Sequence, residues 1–330
     1  MRWLVTGGCG FIGTNLVAAL GAAGGRRVRV YDDLSVGTEQ ALAAVGLVRR
    51  VSLDAPQPLD KSNHGDVELV IGDILDAGGL AGAAQGAEVV VHLAASTGVQ
   101  PSIEDPRADC AANVIGTLNA LEAARAAGVA RFVFASSGAP LGAVPPPVHE
   151  GLAPRPMSPY GASKLAGEGY CSAYAHAYGL ATVALRFGNV YGPRSTHKGS
   201  VVAKFIRRAI AGEPLELYGD GHQTRDFIYV DDLVRAVLLA AEAPDVAGEV
   251  FQIATSRETS VVELVDALVP ILRAAGIAGV TVRNAAPLKG EMRRNYADTS
   301  KARARLGWAA KVPLDEGLRR TVAFFTGRAP

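Results

Sequence analysis

The chain has 330 residues, 49% hydrophobic and 20% charged, with 33 Lys and Arg against 32 Asp and Glu. That hydrophobicity excludes a disordered chain, which could not offset its ordering entropy, and the near-neutral balance gives no electrostatic footprint for nucleic acid. Cys9, Cys110 and Cys171 are widely spaced, with no CxxC and no His-Cys cluster, which excludes a disulfide scaffold or a zinc finger and fits a reducing cytoplasm.

Met1–Gly7 carries one charge and a short apolar run, unlike a signal peptide, and no stretch approaches the ~20 apolar residues of a membrane span. A soluble cytoplasmic protein is expected. Trp3–Thr6, Arg27–Tyr31, Glu68–Ile71, Val89–Leu93, Arg131–Ala135 and Thr182–Arg186 read as strands, with helices at Gly10–Leu20, Ala112–Ala127 and Tyr160–Tyr178. Such alternation indicates βαβ units and a parallel sheet covered on both faces. After about Gly188 it loosens. A helix near Val201–Ala211, a strand Leu215–Tyr218, a helix Asp232–Ala243 and a strand Val250–Ile253 follow, then a helix from about Val261, a strand near Val280–Arg283 and a terminal helix. The expected fold is α/β. A Rossmann-type doubly wound parallel sheet spans residues 1–187, with a return segment at about 225–255, and a smaller, partly interleaved α/β substrate domain spans 188–330.

Gly7-Gly8-Cys9-Gly10-Phe11-Ile12-Gly13 follows the first strand and opens the first helix, with Gly8, Gly10 and Gly13 at GxGxxG spacing and Gly7, Gly10 and Gly13 at GxxGxxG spacing. Glycines there permit a tight turn and close backbone approach to a pyrophosphate on the helix N-terminus. Asp32 ends the second strand 19 residues after Gly13, where a carboxylate bonds the adenine ribose hydroxyls and repels a 2′-phosphate, favouring NAD over NADP. Gly72-Asp73-Ile74 and Leu93-Ala94-Ala95 end two further strands on the side where ligands collect. Asp73 can accept the adenine amine, and Ala94 and Ala95 leave room for the cofactor against the backbone.

Tyr160 and Lys164 are four residues apart at the start of a helix and so share a face. An adjacent ammonium favours the phenolate over a phenol whose ordinary pKa is about 10, making Tyr160 a general base near neutral pH. Ser136-Ser137 closes the strand upstream, where a hydroxyl can bridge a substrate oxygen and the tyrosine.

With these motifs the chain resembles an extended short-chain dehydrogenase/reductase. The resemblance continues through Leu185-Arg186-Phe187-Gly188-Asn189-Val190-Tyr191-Gly192-Pro193, Tyr218-Gly219-Asp220-Gly221-His222-Gln223-Thr224-Arg225-Asp226-Phe227 and Tyr296-Ala297-Asp298-Thr299-Ser300-Lys301-Ala302, which resemble above all the UDP-hexose 4-epimerases. It implies that Ser137, Tyr160 and Lys164 are catalytic. It adds Phe11, Ile12, Asp33, Leu34, Ser35, Gly37, Ile74, Leu93, Asn113, Ala135 and Phe187 to the cofactor contacts. A UDP-sugar would be held by Ser136, Ser137, Asn189, Arg194, Ser200, Val201, Glu216, Tyr218, Arg225 and Glu291. The implied reaction oxidises C4 to a ketone, turns the keto sugar about its diphosphate linkage and returns hydride to the other face, so NAD stays bound. No metal is expected. Homodimerisation through Ala112–Ala127 and Tyr160–Tyr178 is typical of the family.

Gly138-Ala139 carries no carboxylate where the 4,6-dehydratases have Asp-Glu and UDP-glucuronate decarboxylases keep a glutamate, which points to simple inversion. The chain departs from the pattern at Pro140-Leu141 (usually Val-Tyr) and at Leu288, where many relatives place an arginine; Lys289 and Arg293 are the cations nearby. Asn295 stands where room for a 2-substituent is set. The loop Arg194-Ser195-Thr196-His197-Lys198-Gly199 offers cations to the diphosphate or to a sugar C6 carboxylate, although recognised glucuronate epimerases often have an arginine near Thr196. UDP-glucuronic acid is the leading expectation, followed by UDP-glucose/UDP-galactose and then the N-acetyl sugars. A net NAD-dependent oxidoreductase and a non-catalytic dinucleotide sensor are the readings from other classes.

Overall fold

The structure is a computed structural model that describes residues 1–52, 59, 66–286 and 293–328. The strands are β1 (Arg2–Thr6), β2 (Arg27–Asp32), β3 (Leu47–Arg50), β4 (Asp66–Ile71), β5 (Val89–His92), β6 (Arg131–Ser137), β7 (Thr182–Phe187), β8 (Asn189–Tyr191), β9 (Leu215–Tyr218), β10 (Thr224–Arg225), β11 (Phe227–Tyr229), β12 (Glu249–Ile253), β13 (Thr259–Ser260) and β14 (Val282–Ala285). An eight-stranded sheet runs β12-β7-β6-β5-β1-β2-β4-β3 with every pairing parallel. Order reverses between β1 and β5, the point where doubly wound sheets open a crevice for ligands. The eight-stranded sheet gains β3, which sequence reading passed over because Leu-Val-Arg-Arg is an exposed edge strand with no alternating pattern.

The helices are α1 (Phe11–Ala22), α2 (Glu39–Ala43), α3 (Ala77–Ala84), α4 (Val99–Glu104), α5 (Pro106–Cys110), α6 (Gly116–Ala126), α7 (Pro159–Tyr178), α8 (Val201–Ile210), α9 (Val230–Glu242), α10 (Val261–Ala274), α11 (Ser300–Leu306) and α12 (Leu314–Thr326). The helix expected over Ala112–Ala127 is divided: Ala111–Ile115 forms a π-helical turn before α6 begins. The strand expected near Val280–Arg283 lies two residues later, as β14. No described helix is long and apolar enough to cross a membrane.

Burial explains the sequence pattern. Trp3, Val5, Val28, Val30, Val89, Val91, Val133, Val183 and Leu185 point into one core under α1 and α9, while Leu4, Tyr31, Val70, Val90, Phe132, Phe134 and Ala184 face a second core under α3, α6 and α7. A third core joins α8, α10, α12, β9 and β11 through Phe205, Ile206, Leu217, Phe227, Leu264, Leu268 and Leu318. Not every central position is apolar. Arg27 and Arg29 on β2 are buried against Glu68 on β4 at 3.2 and 2.7 Å, a pairing that buried charges require.

Candidate active site

The ends of β1, β2, β4 and β5 line the crevice. Gly7 leaves β1 with φ +68, and a Cβ there would stand 2.7 Å from Ala94 N, so the first glycine and the small Ala94 are matched. A Cβ on Gly13 would lie 2.4 Å from Gly7 O, and one on Gly37 2.3 Å from the Cys9 carbonyl carbon. Gly10 differs. A Cβ there would meet only Gly7 O, at 3.3 Å, so its outer side opens to the cleft. Gly10 is also the N-cap of α1 and gives no side-chain cap, and the first turn carries no acid. The helix therefore presents backbone N–H groups and the positive end of its dipole to an anion.

Asp32 is 7% exposed, and its carboxylate accepts from Cys9 N and Leu34 N, each at 2.9 Å. Burial pushes its carboxyl up, against the pull of those two hydrogen bonds. Asp33 accepts from Ser35 N and Oγ, and Leu34 sits at φ +59, so 33–37 is a tight turn laid on the glycine loop. Asp73 is exposed and accepts from Leu75 N, while Ile74 is buried against Gly116. Leu93, Ala94 and Ala95 are half-buried beyond β5. Beneath them a chain of hydrogen bonds runs through the sheet: Ala94 N–H to Thr6 Oγ1 (3.3 Å), Thr6 Oγ1 to His92 Nδ1 (2.8 Å), and His92 Nε2 to Thr117 Oγ1 (3.2 Å). Thr117 already donates to Asn113 O at 2.7 Å, so it accepts from Nε2–H and the His92 proton is on Nε2. Burial pushes His92 down to about 3.

Ser158 caps α7 by accepting from Gly161 N at 3.1 Å, and Pro159 fills the first turn. This sets Tyr160 over the end of β6, where the Ser137 hydroxyl favours ionisation of its phenol. Lys164 is 3% exposed; Nζ donates to Ala135 O at 3.0 Å and stands 6.0 Å from the Tyr160 ring centroid. Burial pulls Lys164 down to about 8. The phenol does not follow the expectation from spacing: burial holds Tyr160 above its ordinary value, with Asp109 adding to the rise and Ser137 opposing it. The ammonium lies over the ring and bonds a carbonyl instead of the phenol.

Residues 3–254 match the model of the NAD dependent epimerase/dehydratase family. The chain belongs to this family. It is 40% identical to a UDP-glucose 4-epimerase of Mycolicibacterium smegmatis over the whole of both chains. It superposes on the UDP-glucose 4-epimerase of Thermotoga maritima, solved with UDP-glucose, with TM-score 0.86 and 37% identity over 99% of each chain. It also superposes on the UDP-glucuronic acid 4-epimerase of Bacillus cereus, solved with UDP-glucuronic acid and NAD, with TM-score 0.84 and 29% identity over 99% of each.

NAD is the cofactor of this family, and the uncapped α1, the open side of Gly10 and the buried Asp32 fit a dinucleotide. Among the other expected contacts, Phe11, Ala135 and Asn113 are buried, and Ile12 and Phe187 are half-buried. Phe187 pairs with Ser137 in register.

The serine pair divides. Ser137 faces Tyr160, whereas Ser136 is 3% exposed and donates to Glu168 Oε1 at 2.5 Å, so its expected substrate contact is corrected to a structural one. Successive strand residues point to opposite faces, which allows only one of the two to meet the cleft. Glu168 in turn binds Arg186 through two bonds of 2.8 and 2.7 Å.

Of the other expected substrate contacts, Asn189 opens β8, and the Arg225 Nη1 donates to Thr224 O at 2.7 Å. Ser200 caps α8 in position only, its buried hydroxyl without a partner among the described residues, and Val201 follows it, half-buried. Arg194 donates to Asn15 Oδ1 at 2.9 Å and stacks over Phe324. Glu216 is already held by Arg283 (2.7 Å), Arg208 (3.3 Å) and Lys204 (3.7 Å), and Tyr218 Oη accepts from Lys204 at 2.9 Å. Arg293 pairs with Asp220 at 2.7 Å. Asn295 Nδ2 lies 3.9 Å from where a Gly138 Cβ would stand, and Leu141 is buried with Val148, Ala254 and Ala297. Leu288, Lys289 and Glu291 lie outside the described residues. Among the described residues no group of His, Cys, Asp and Glu could hold a metal ion.

Proposed function

We propose that this NAD-dependent UDP-sugar 4-epimerase takes UDP-glucuronic acid as its leading substrate and inverts C4 through a 4-keto sugar. Bound NAD supplies the hydride acceptor and donor. Tyr160 takes the proton of the C4 hydroxyl and later returns it, and Ser137, whose hydroxyl favours the phenolate, shares the sugar oxygen. Lys164 holds a positive charge beside the phenol and fixes the end of β6 through Ala135. Asn189, Arg225, Ser200, Val201 and Tyr218 are the proposed contacts to the nucleotide. The proposed division of the chain follows Phe187, with residues 225–255 returning; β12 pairing with β7 and the separate core of α8, α10 and α12 support it.

The choice of sugar rests on Lys198. Its side chain is half-buried, burial lowers its proton affinity, and it has no carboxylate partner among the described residues. Its loop is anchored: Ser195 Oγ donates to Gly192 O, Arg207 donates to Thr196 O at 2.6 Å, and Lys198 N donates to Ser195 O. A half-buried ammonium without a carboxylate partner asks for an anion. Thr196 favours UDP-glucose as the second reading.

The dimer is proposed through Ala112–Ala127 and Tyr160–Tyr178, which display Ile115, Tyr170 and Tyr178, large apolar side chains 38–58% exposed. The test of function is incubation with UDP-glucuronic acid, UDP-glucose and UDP-GlcNAc separately, without added NAD, read by proton NMR of the anomeric region. A C4 epimer of UDP-glucuronic acid is expected. Turnover of UDP-glucose alone overturns the sugar; turnover only with added NAD and accumulating NADH marks a net oxidoreductase.

A further inference from the structure

Asp109, near the end of α5, is 1% exposed. Its Oδ1 accepts from Asn113 Nδ2 at 2.9 Å, and its Oδ2 has no hydrogen-bond partner among the described residues. Asn113 Nδ2 also donates to Ser96 O at 2.9 Å and lies 3.2 Å from Ser163 Oγ, which itself donates to Tyr160 O at 3.0 Å. A continuous set of contacts thus joins the carboxylate to the backbone of the residue that carries the phenol. Asn113 lies within the π-helical turn, a feature concentrated at functional sites. No described cation forms an ion pair with Asp109, although a buried charge normally has one. Its charge is felt by Tyr160 and Lys164.

Resting on the reading that Tyr160 and Lys164 carry the proton transfer, we propose that Asp109 is a positioning residue: its buried carboxylate, on α5 packed against α7, fixes the first turn of α7 through Asn113 and Ser163 and supplies the negative charge that the Tyr160–Lys164 pair faces. Lys164 is faced by Asp109 from α5, by neutral His92 from β5, by Lys198 from its loop, and by Tyr160, Glu168 and Cys171 from its own helix. Burial and Lys198 drive the proton off Lys164, whereas Asp109, Cys171 and Glu168 hold it on. Tyr160 is faced by Ser137 from β6 and by Asp109, and here the carboxylate opposes formation of the phenolate. Neutralising Asp109 therefore lowers the proton affinity of both groups.

The test is the pH profile of kcat for Asp109→Asn and Asp109→Glu. In Asp109→Asn both limbs of the profile, the lower break set by Lys164 and the upper by Tyr160, are expected to move to lower pH, each by about tenfold in proton affinity. Asp109→Glu, which keeps the charge, leaves both limbs in place. A lower maximum with unmoved limbs in Asp109→Asn means a structural role and overturns the proposal. A second readout needs no turnover: the phenolate absorbance of each protein minus that of its Tyr160→Phe counterpart. The step is expected above the ordinary tyrosine range in the native chain and at lower pH in Asp109→Asn; coincident steps overturn the proposal. Should Asp109→Asn not fold, a native step at or below the ordinary range does the same. Full turnover in Tyr160→Phe would instead sink the catalytic reading, while the phenolate titration still decides what Asp109 does.

Discussion

Ser136 Oγ donates to Glu168 Oε1 at 2.5 Å, beneath the site rather than within it. Glu168 and Arg186 are 5% and 4% exposed in their side chains and form a two-bond pair from α7 to β7. This pair holds α7 to the sheet one turn after Lys164.

Breaking the pair from one side leaves a buried charge without its partner. Arg186→Met should lower unfolding stability by about 3–5 kcal/mol, and the double variant Glu168→Leu/Arg186→Met by much less than the sum of the single changes. Urea unfolding at pH 7 checks this. Additive losses would mean that the two side chains do not act as a pair.

The glycines separate backbone geometry from ligand room. Gly13→Ala places a Cβ 2.4 Å from Gly7 O and 2.5 Å from Gly8 Cα, both backbone, so it should lower the melting temperature by several degrees. Gly10→Ala meets one atom at 3.3 Å and should fold almost normally, but it fills the space beside the α1 N-terminus and should weaken NAD binding by about tenfold or more. Melting curves with and without NAD distinguish the two. Equal melting temperatures without NAD would contradict the contrast.

Gly7, Gly10, Gly13 and Asp32 were legible in the sequence because a tight turn at a strand end admits few residue types. Tyr160 and Lys164 were legible because helical spacing puts them on one face. What escaped was long-range or too short to carry a period. Glu168 and Arg186 are 18 residues apart and become partners only when α7 packs on β7. The strands β8, β10, β11 and β13 have two or three residues each, too few to show alternation. Asp109 did leave a signal, since it precedes Asn113 by four residues on one helical face. His92 was a second, a polar side chain closing an otherwise all-valine strand.

His92 makes the fold acid-sensitive. Its folded value is about 3, against about 6.5 in the unfolded chain. Above pH 6.5 both states are neutral there and no penalty applies. As pH falls from 6.5 towards 3 the unfolded chain takes up a proton that the folded chain refuses, and stability is lost progressively. Between pH 7 and pH 4 the loss from this residue should be about 3 kcal/mol. His92→Gln should be less stable than the native chain at pH 7 but lose correspondingly less on acidification. Urea midpoints at the two pH values measure the difference, and parallel losses would rule out His92 as the source.

Lys198 decides between a sugar carboxylate and the diphosphate, the two anions its loop can meet. A charge-assisted hydrogen bond contributes about 1.5–3 kcal/mol, so its loss corresponds to roughly 10–100-fold in kcat/KM. The diphosphate is common to every UDP-sugar, whereas the C6 carboxylate belongs only to UDP-glucuronic acid. If Lys198 meets the carboxylate, Lys198→Gln should lose that factor with UDP-glucuronic acid and change by less than about twofold with UDP-glucose. Equal losses with both would put Lys198 on the diphosphate and remove the main support for the acidic sugar. Burial has already lowered the proton affinity of Lys198. An anion bound beside it reverses that effect, so the preference for UDP-glucuronic acid should weaken at alkaline pH as the ammonium is lost. The ratio of the two kcat/KM values against pH, in the native chain and in Lys198→Gln, reads this directly: a falling ratio in the first and a flat one in the second is the expected pair.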